Sequence, residues 1–537
     1  MNRFAALLDR LSFTPQRNAK IALIADYMAS APDLDRGWAL AALTGGLDFR
    51  YAKPAVLRAL AAERVDEQLF ALSYDYVGDL AETLALIWPA AAGANAPPTV
   101  SEIVERLSNA GKAEVPGLLR GWLDAMDATE RWALLKLITG GLRVGVSARL
   151  VKVALAQMGD APVQEIEELW HGLEAPYTEL FAWLEGRGEK PENAAHAPFR
   201  PVMLAHALVL PETEALPLEE FSLEWKWDGI RVQAVGDRGT ARLYSRTGDD
   251  ISAAFPDILE ALDFQAALDG ELLVYRPQAE ENGYVAAPFS DLQQRLNRKT
   301  TPKKLLETHP AFLRAYDLLE AEGEDLRPLP FEDRRRRLEA WFEEKRPARM
   351  DLSPIVAAES WAEVDALRAS PPLPPIEGLM AKRKASPYTP GRPKGHWFKW
   401  KKDPHLIDAV LMYAQRGHGK RSSFYSDYTF GVWRDGEEGE ELVPVGKAYF
   451  GFTDEELKTI DKFVRANTKA RFGPVREVAY GSEQGLVLEV AFEGLNRSPR
   501  HKSGLAMRFP RIHRLRWDKP PREADRIEAL EKLLPQG

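Results

Sequence analysis

The chain contains no cysteine. Disulfides, thiolate zinc sites and a cysteine nucleophile are therefore excluded, and the composition fits a reducing, cytoplasmic setting. No apolar run approaches the roughly 20 residues of a bilayer span, so no membrane-embedded segment is expected. Net basic charge is also lacking: 71 Lys/Arg against 80 Asp/Glu give −9, which argues against a surface coated in cations. The opening "MNRFAALLDRLSF" has no small-residue cleavage site and reads as an amphipathic helix, not a signal peptide. The rest is ordinary for globular protein, at 45% hydrophobic and 28% charged. Its 537 residues are too many for one core and suit roughly three or four domains.

The acidic average hides two basic stretches. Gly378 to Lys420 holds ten Lys/Arg and two Asp, and Arg497 to Lys519 holds eight Lys/Arg and one Asp. Aromatics interleave: Tyr388, Trp397, Phe398 and Trp400 in the first, Phe509 and Trp517 in the second. Such blocks suit phosphate contacts, with a solvated charged face as the plainer alternative.

Residues 1–190 read as helices, with apolar spacing as in "WALLKLI" and "LVKVALAQM". One segment is repeated: "LTGGLDFRYAKPAVLRALA" (Leu43–Ala61) parallels "ITGGLRVGVSARLVKVALA" (Ile138–Ala156). Each copy is expected to end a helix at Gly-Gly and start another after a short loop. Gly45, Gly46, Gly140, Gly141 and Arg143 are thus candidates to meet the two phosphate strands of a duplex. A duplicated hairpin that only packs is the alternative. A polar, proline-containing linker covers 191–200. Strands and helices alternate over 201–402, where "LDGELLVY" and "FLRAYDLL" read as buried strands and "FEDRRRRLEAWFEEK" as an exposed helix. From 403 to 537, "DAVLMYAQR", "DYTFGVWR" and "LVLEVAFEGL" predict a small antiparallel barrel, closed by a helix at "READRIEALEKLL".

The segment "EWKWDGIRVQ" (Glu224–Gln233) alternates with period two, which predicts a strand whose Glu224 and Lys226 share one face. Asp228-Gly229 predicts a turn and "IRVQAV" the return strand of a hairpin. Alone, Lys-x-Asp-Gly is weak. It is followed in order by "SRTGDD", "DGELLVY", "AYDLL", "EGLMAKR", "WFKWKK" and "RLRWDK". Together these resemble the covalent nucleotidyltransferases, and most closely the ATP-dependent DNA ligases. The resemblance spans the whole chain, and "FEGLNRSPRHKSGLAMRFPRIHRLRWDK" resembles bacterial members linked to DNA repair. It implies a multidomain fold: an all-α DNA-binding domain, an α+β adenylation domain and an all-β OB-fold domain.

The implied chemistry is the joining of a 3′-OH to a 5′-phosphate in nicked double-stranded DNA, with ATP as substrate and Mg²⁺ as cofactor. A lysine amine takes AMP from ATP and hands it to the 5′-phosphate. Only a neutral amine attacks, so an ordinary pKa of about 10.4 must be pushed down by cations and desolvation. Arg231, Lys399, Lys401 and a metal ion are candidates for the cations, and the tryptophans beside Lys226 for limiting water.

Carried onto this sequence, the resemblance makes Lys226 the AMP carrier. Glu224 reads the adenine edge, Tyr316 and Met380 flank the base, and Glu271 holds the ribose. Glu271 and Glu377 suit Mg²⁺. Lys399 and Lys401 touch the α-phosphate, while Arg231 and Arg246 hold phosphate oxygens. Arg516, Asp518 and Lys519 orient pyrophosphate. Phe289 is the candidate wedge beside the nick, with a core phenylalanine as the alternative. Relatives often carry arginine where this chain has Pro393, and Arg392 or Lys394 is the nearest substitute. A monomer with no membrane contact is expected.

Four alternatives stand beside this reading, and the NAD-dependent ligase and the decayed clamp are disfavoured. A capping guanylyltransferase or an RNA ligase does not call for the helical third. An NAD-dependent ligase carries a four-cysteine zinc site. A decayed DNA clamp does not need Lys226, Glu271, Glu377, Lys399 and Lys401 together.

Overall fold

The computed structural model describes all residues except 78, 90–95, 193–195, 278–283, 297, 299, 417–423, 438, 473–474, 499–501 and 535–537. Part of the 191–200 stretch therefore lies outside the described residues. The chain divides into two compact units. One comprises Met1–Asp160, Glu174–Glu189 and Pro404–Gly537; the other comprises Ala161–Leu173 and Lys190–Asp403. Among the described residues, no helix is long and apolar enough to cross a membrane.

Helices fill the N-terminal region, from Asn2–Phe13 to Thr178–Leu184. The first buries Phe4, Ala5, Leu7, Leu8 and Leu11, the stripe its apolar spacing predicts. Local signals set the boundaries. Thr99 and Glu102 form a reciprocal cap at the start of Val100–Asn109, as do Asp127 and Glu130 before Ala128–Thr139. Such boxes satisfy amides that have no partner in the first helical turn. The repeated segments form two corners. Gly45 and Gly140 adopt φ of 79° and 73° as the preceding helices end, a left-handed conformation that costs glycine little.

The C-terminal region is strand-rich. His405–Arg416 lies at the centre of an antiparallel sheet, with Tyr425–Gly436 and Gly439–Ala448 to one side and Val475–Val478 and Thr468–Phe472 to the other. Val487–Phe492 also pairs with His405–Arg416 and carries Arg511–Arg516. Tyr428, Phe430, Val432, Leu488, Val490 and Phe492 lie in its core, on which helix Asp454–Ala466 packs through Leu457, Ile460 and Val464. The expected long closing helix is only Ile527–Glu531. Before it, Asp525 exchanges hydrogen bonds with Asp408, its N–H donating to Asp408 O at 2.8 Å and its Oδ2 accepting from Asp408 N at 2.7 Å. That tether holds the preceding residues out of the helix.

The central unit contains two sheets. One has the order His206–Ala207, Trp397–Lys401, Ile376–Arg383, Phe221–Trp227, Ile355–Val356. The other runs Thr240–Ser245, Ile230–Asp237, Ala266–Pro277, Ala311–Ala321, Glu324–Asp325, with Tyr284–Ala286 and Met350–Leu352 added at its sides. The expected hairpin is therefore not formed. Both segments are strands, but Phe221–Trp227 joins the first sheet and Ile230–Asp237 the second. Asp228-Gly229 carries the chain between them: Asp228 N–H donates to Pro375 O at 2.7 Å and Gly229 N–H to Glu271 Oε1 at 3.2 Å. A Cβ at Gly229 would collide with Leu272 O and Glu271 Cγ, so the crossing requires glycine.

Helix Phe331–Lys345 is less exposed than its four consecutive arginines suggest. Phe331, Arg334, Arg335, Leu338 and Trp341 are buried. Arg334 makes a two-pronged pair with Asp317 at 2.8 and 2.9 Å, both side chains fully buried.

Candidate active site

The site is built on three adjacent strands whose register aligns their chemistry. Lys226, Gly378 and Lys401 are paired across the sheet, as are Glu224, Met380 and Lys399, and then Ser222, Lys382 and Trp397. Paired residues project from the same face, and the alternation of each strand keeps these three rows together. Trp225 and Trp227 have the other parity. Trp227 is buried with Leu273, Tyr275 and Ile376, and the Arg314 guanidinium lies 4.1 Å over its ring.

Glu377 has the wrong parity for this face, and a bulge corrects it. The register with Phe221–Trp227 shifts between Ile376 and Gly378, and a bulge re-aims the residue it contains. The Glu377 carboxylate consequently meets the Lys226 ammonium through Oε1 and Lys401 Nζ through Oε2, the latter at 2.9 Å. Burial alone would raise the Glu377 pKa, but Lys226 and Lys401 outweigh it and hold the carboxyl below its usual range. Lys399 is lowered by burial first and then by Lys226, Lys401 and Arg392. Lys226, Lys399 and Lys401 thus cluster with one carboxylate.

The second sheet supplies the opposing face. Arg231, Glu271 and Arg314 form one row there. Arg231 is committed to Asp269, with Nε and Nη2 at 3.0 and 2.7 Å from its two oxygens, and Nη2 also reaches Tyr388 Oη at 3.2 Å. Glu271 receives the Gly229 N–H, and burial pushes its pKa up to about 8, against the pull of Lys226 and Arg231. A buried carboxyl under that strain fits a divalent cation, which favours the ionised form. Glu271 and Glu377 offer carboxylate oxygens, the donors a hard divalent cation takes. No group of three metal-ligating side chains occurs among the described residues.

Tyr316 is delivered by a second bulge. Gly270 pairs with Ala315 and Asp269 with Asp317, which leaves Tyr316 as the extra residue. Its ring lies over the Lys382 ammonium at 4.3 Å. Glu224 is 1% exposed and binds Lys382 Nζ through Oε1 at 2.8 Å.

Other expected residues lie apart from this cluster. Arg246 is exposed on the turn after Thr240–Ser245. Arg392 is exposed and Lys394 likewise. Phe289 opens the short helix Phe289–Gln293 and packs partly buried against the core of the second sheet. Arg295, fully buried, ties that segment to Asp257 and to Ala254 O.

Arg516, Asp518 and Lys519 belong to the other unit. Arg516 Nη1 and Lys519 Nζ both meet Asp408 Oδ2, at 3.2 and 2.7 Å, while Arg516 also binds Asp518 at 2.9 Å. In the helical corners, Gly45, Gly46, Gly140 and Arg143 are exposed and Gly141 is half-buried. Lys20 Nζ donates to Val144 O and Gly145 O at 2.6 and 2.9 Å, bracing the second corner.

Lys382, Asp269 and Asp408 lie in or beside the motifs but carry no role in the resemblance; their partners Glu224, Arg231 and Lys519 give them one. The alignment of Lys382 with Ser222 and Trp397 was available only from strand register.

Comparison with known proteins agrees with this architecture. Three family descriptions match in chain order: "DNA ligase N terminus" over residues 1–156, "ATP dependent DNA ligase domain" over 202–401 and "ATP dependent DNA ligase C terminal region" over 421–519. A "Probable DNA ligase" of Koribacter versatilis is 30% identical over 99% of this chain and 96% of its own length. "DNA ligase 1" of Korarchaeum cryptofilum is 32% identical over 81% of this chain and 79% of its own. The solved structure Pmar-Lig_PreS3 shares the fold, with a TM-score of 0.57 and 15% identity over 96% of this chain and 99% of that one. The class defined is a multidomain, ATP-dependent ligase enzyme. Within it, the chain belongs to the ATP-dependent DNA ligase family.

Proposed function

We propose that this enzyme seals 3′-OH/5′-phosphate nicks in duplex DNA through a lysyl-AMP intermediate at Lys226. The carrying observation is the clasp of Lys226 and Lys401 on Glu377, beside Lys399 and opposite Glu271. In the first step Lys226 Nζ, having lost a proton, bonds to the α-phosphorus of ATP, and the bond to pyrophosphate breaks. In the second, a 5′-phosphate oxygen takes the AMP and the P–N bond breaks. In the third, the 3′-oxygen attacks that 5′-phosphorus, loses its proton and expels AMP. Little covalent chemistry falls to the other residues; they position groups and neutralise charge.

Lys399 and Lys401 are assigned to the α-phosphate, and Tyr316 and Met380 to the two faces of adenine. Glu224 is assigned to its amino edge, Glu271 to the ribose, and Glu271 with Glu377 to Mg²⁺. The commitment of Arg231 to Asp269 gives it a fixed positive charge in the pocket wall, from which a phosphate oxygen must recruit it.

We assign the helical region to duplex binding through the two Gly-Gly corners, and Phe289 to the nick. The strand-rich region is assigned to an OB-fold whose Arg516, Asp518 and Lys519 orient departing pyrophosphate. The division at 1–190, 201–402 and 403–537, a monomeric cytoplasmic enzyme and a role in DNA repair complete this reading.

Incubation with α-labelled ATP, GTP or NAD, followed by a denaturing gel, tests it. A labelled adduct from ATP, mapped to Lys226, is expected. An adduct on another residue, or none from ATP, overturns the assignment.

A further inference from the structure

Lys382 is only 2% exposed, yet it is a lysine. Three aromatic rings surround its ammonium: Tyr316 at 4.3 Å, Trp397 at 4.7 Å and Phe331 at 5.0 Å from their centroids. The fourth partner is Glu224, whose Oε1 lies 2.8 Å from Nζ, with both side chains 2% exposed. Burying two charges is costly, and breaking such a pair leaves an uncompensated ion. The ring faces offset part of that cost because their quadrupoles attract a desolvated cation. A neutral residue of similar length would fill this space without the cost, so the retained charge requires a reason.

The reason lies in what Glu224 presents to a base. An ionised carboxylate only accepts hydrogen bonds, whereas a protonated carboxyl can donate one. Adenine carries an amino donor at its six position and guanine a carbonyl acceptor. A Glu224 carboxylate that turns an accepting oxygen to the base edge therefore favours the first and repels the second. Lys382 also engages one carboxylate oxygen from a rigid cage, which fixes how the other is turned. The same ammonium touches Tyr316, so the ring assigned to stacking and the acid assigned to the purine edge share one brace.

We propose that Lys382 is the positioning residue for nucleotide choice, pairing with the Glu224 carboxylate and orienting it so that the pocket selects a six-amino purine over a six-oxo purine. This rests on the reading that Glu224 meets the purine edge during lysine adenylylation. Lys382 touches Glu224 and not the reacting atoms, so its loss should act on nucleotide binding and choice before it acts on the chemical step.

The test uses the full chain with Lys382→Met, which keeps the stem without the charge, and Lys382→Arg, which keeps the charge. Initial rates of adduct formation are measured over a range of ATP and of GTP. For Lys382→Met we expect the ATP KM to rise at least tenfold, with kcat changed less than threefold. The ATP-over-GTP preference in kcat/KM should fall at least tenfold, and Lys382→Arg should recover most of it. Should Lys382→Met fail to fold, Lys382→Gln carries the same test, since it keeps a donor to Glu224 without the charge. A preference within threefold of the parent in the folded neutral variant overturns the proposal, as does a loss confined to kcat. In either case a persisting Lys226 adduct leaves the ligase reading intact. If the parent chain itself forms no adduct, that reading fails instead.

Discussion

The central pocket and the C-terminal cluster both pair cations with acids, but in opposite circumstances. In the pocket unit, Arg334–Asp317 is fully buried and Lys382–Glu224 nearly so. In the C-terminal region, Arg516 and Lys519 share Asp408 with side chains 18% and 22% exposed, and Asp518 is mostly in water. Buried pairs are expensive to break because one charge is stranded. Half-buried pairs with one face in water are partly screened and exchange partners more readily. The first kind suits fixing a geometry. The second suits cations that must release one acid to take up phosphate.

This contrast is sharpest at Lys226, whose counterion Glu377 is half-buried and shared. Lys226→Ala and Lys226→Arg should abolish both adduct formation and nick joining, since neither offers a suitable neutral amine. A labelled adduct surviving in either variant would end the assignment. Next in size is a matched pair of deletions read by urea denaturation. Arg334→Ala should cost about 3–5 kcal/mol, because Asp317 is left charged and buried. Arg516→Ala should cost less, because Asp408 keeps Lys519 as a partner. Equal shifts would erase the distinction between the two regions.

Lys519→Ala should slow adduct formation from ATP roughly a hundredfold, the scale for one lost transition-state charge contact. Joining of a pre-adenylylated nick, which has no pyrophosphate to release, should be largely kept. Comparable losses on both substrates would give this segment another task. Tyr316→Ala should weaken ATP binding by roughly 1–3 kcal/mol, the scale of base–aromatic stacking, and Tyr316→Phe should be nearly silent in the same titration.

The smallest effect is expected in the helical region, where Arg36 is buried and joins Glu185. The Arg36 hydrogen bond holds the Glu185 carboxyl down at about 2, from an ordinary 4.5. A depressed acid contributes stability above its unfolded pKa and loses it as the pH falls through the folded one. Glu185→Gln should therefore cost about 1 kcal/mol at neutral pH. The cost should shrink as the pH drops from about 4.5 towards 2. A cost that is constant with pH would remove the ion pair as its cause.

The strands, the corner helices and most of the charged pocket were legible because period and motif order are local properties. Lys226 and Glu224 do share a face, as their spacing requires. The hairpin was misread because Asp-Gly signals a turn without saying which sheet receives the next strand. Glu377 and Tyr316 reach the pocket through bulges, and a single extra residue in a ladder leaves no mark in a period-two pattern. The buried face of Phe331–Lys345 was hidden because Arg334 and Arg335 count as polar until Asp317 and Ser353 are known to receive them. Lys382 has the same history: its role is set by rings more than fifty residues away in sequence as well as by its strand neighbours.

The crossing at Asp228-Gly229 limits how the nucleotide slot can gape. Three peptide links separate Trp227 from Ile230, so their Cα atoms stand no more than about 11 Å apart in any conformation. The two walls are welded at this end, next to Lys226, and the jaw width there is set by covalent bonds. At the far end they are joined without a covalent link: Lys382 of one wall meets the Tyr316 ring of the other, Tyr388 Oη donates to Asp269 Oδ2 at 2.6 Å, and Trp397 and Tyr388 share a buried core with Val235, Ala267 and Leu319. One end of the cleft is therefore set by covalent bonds and the other by packing and hydrogen bonds, so any widening must begin at the second.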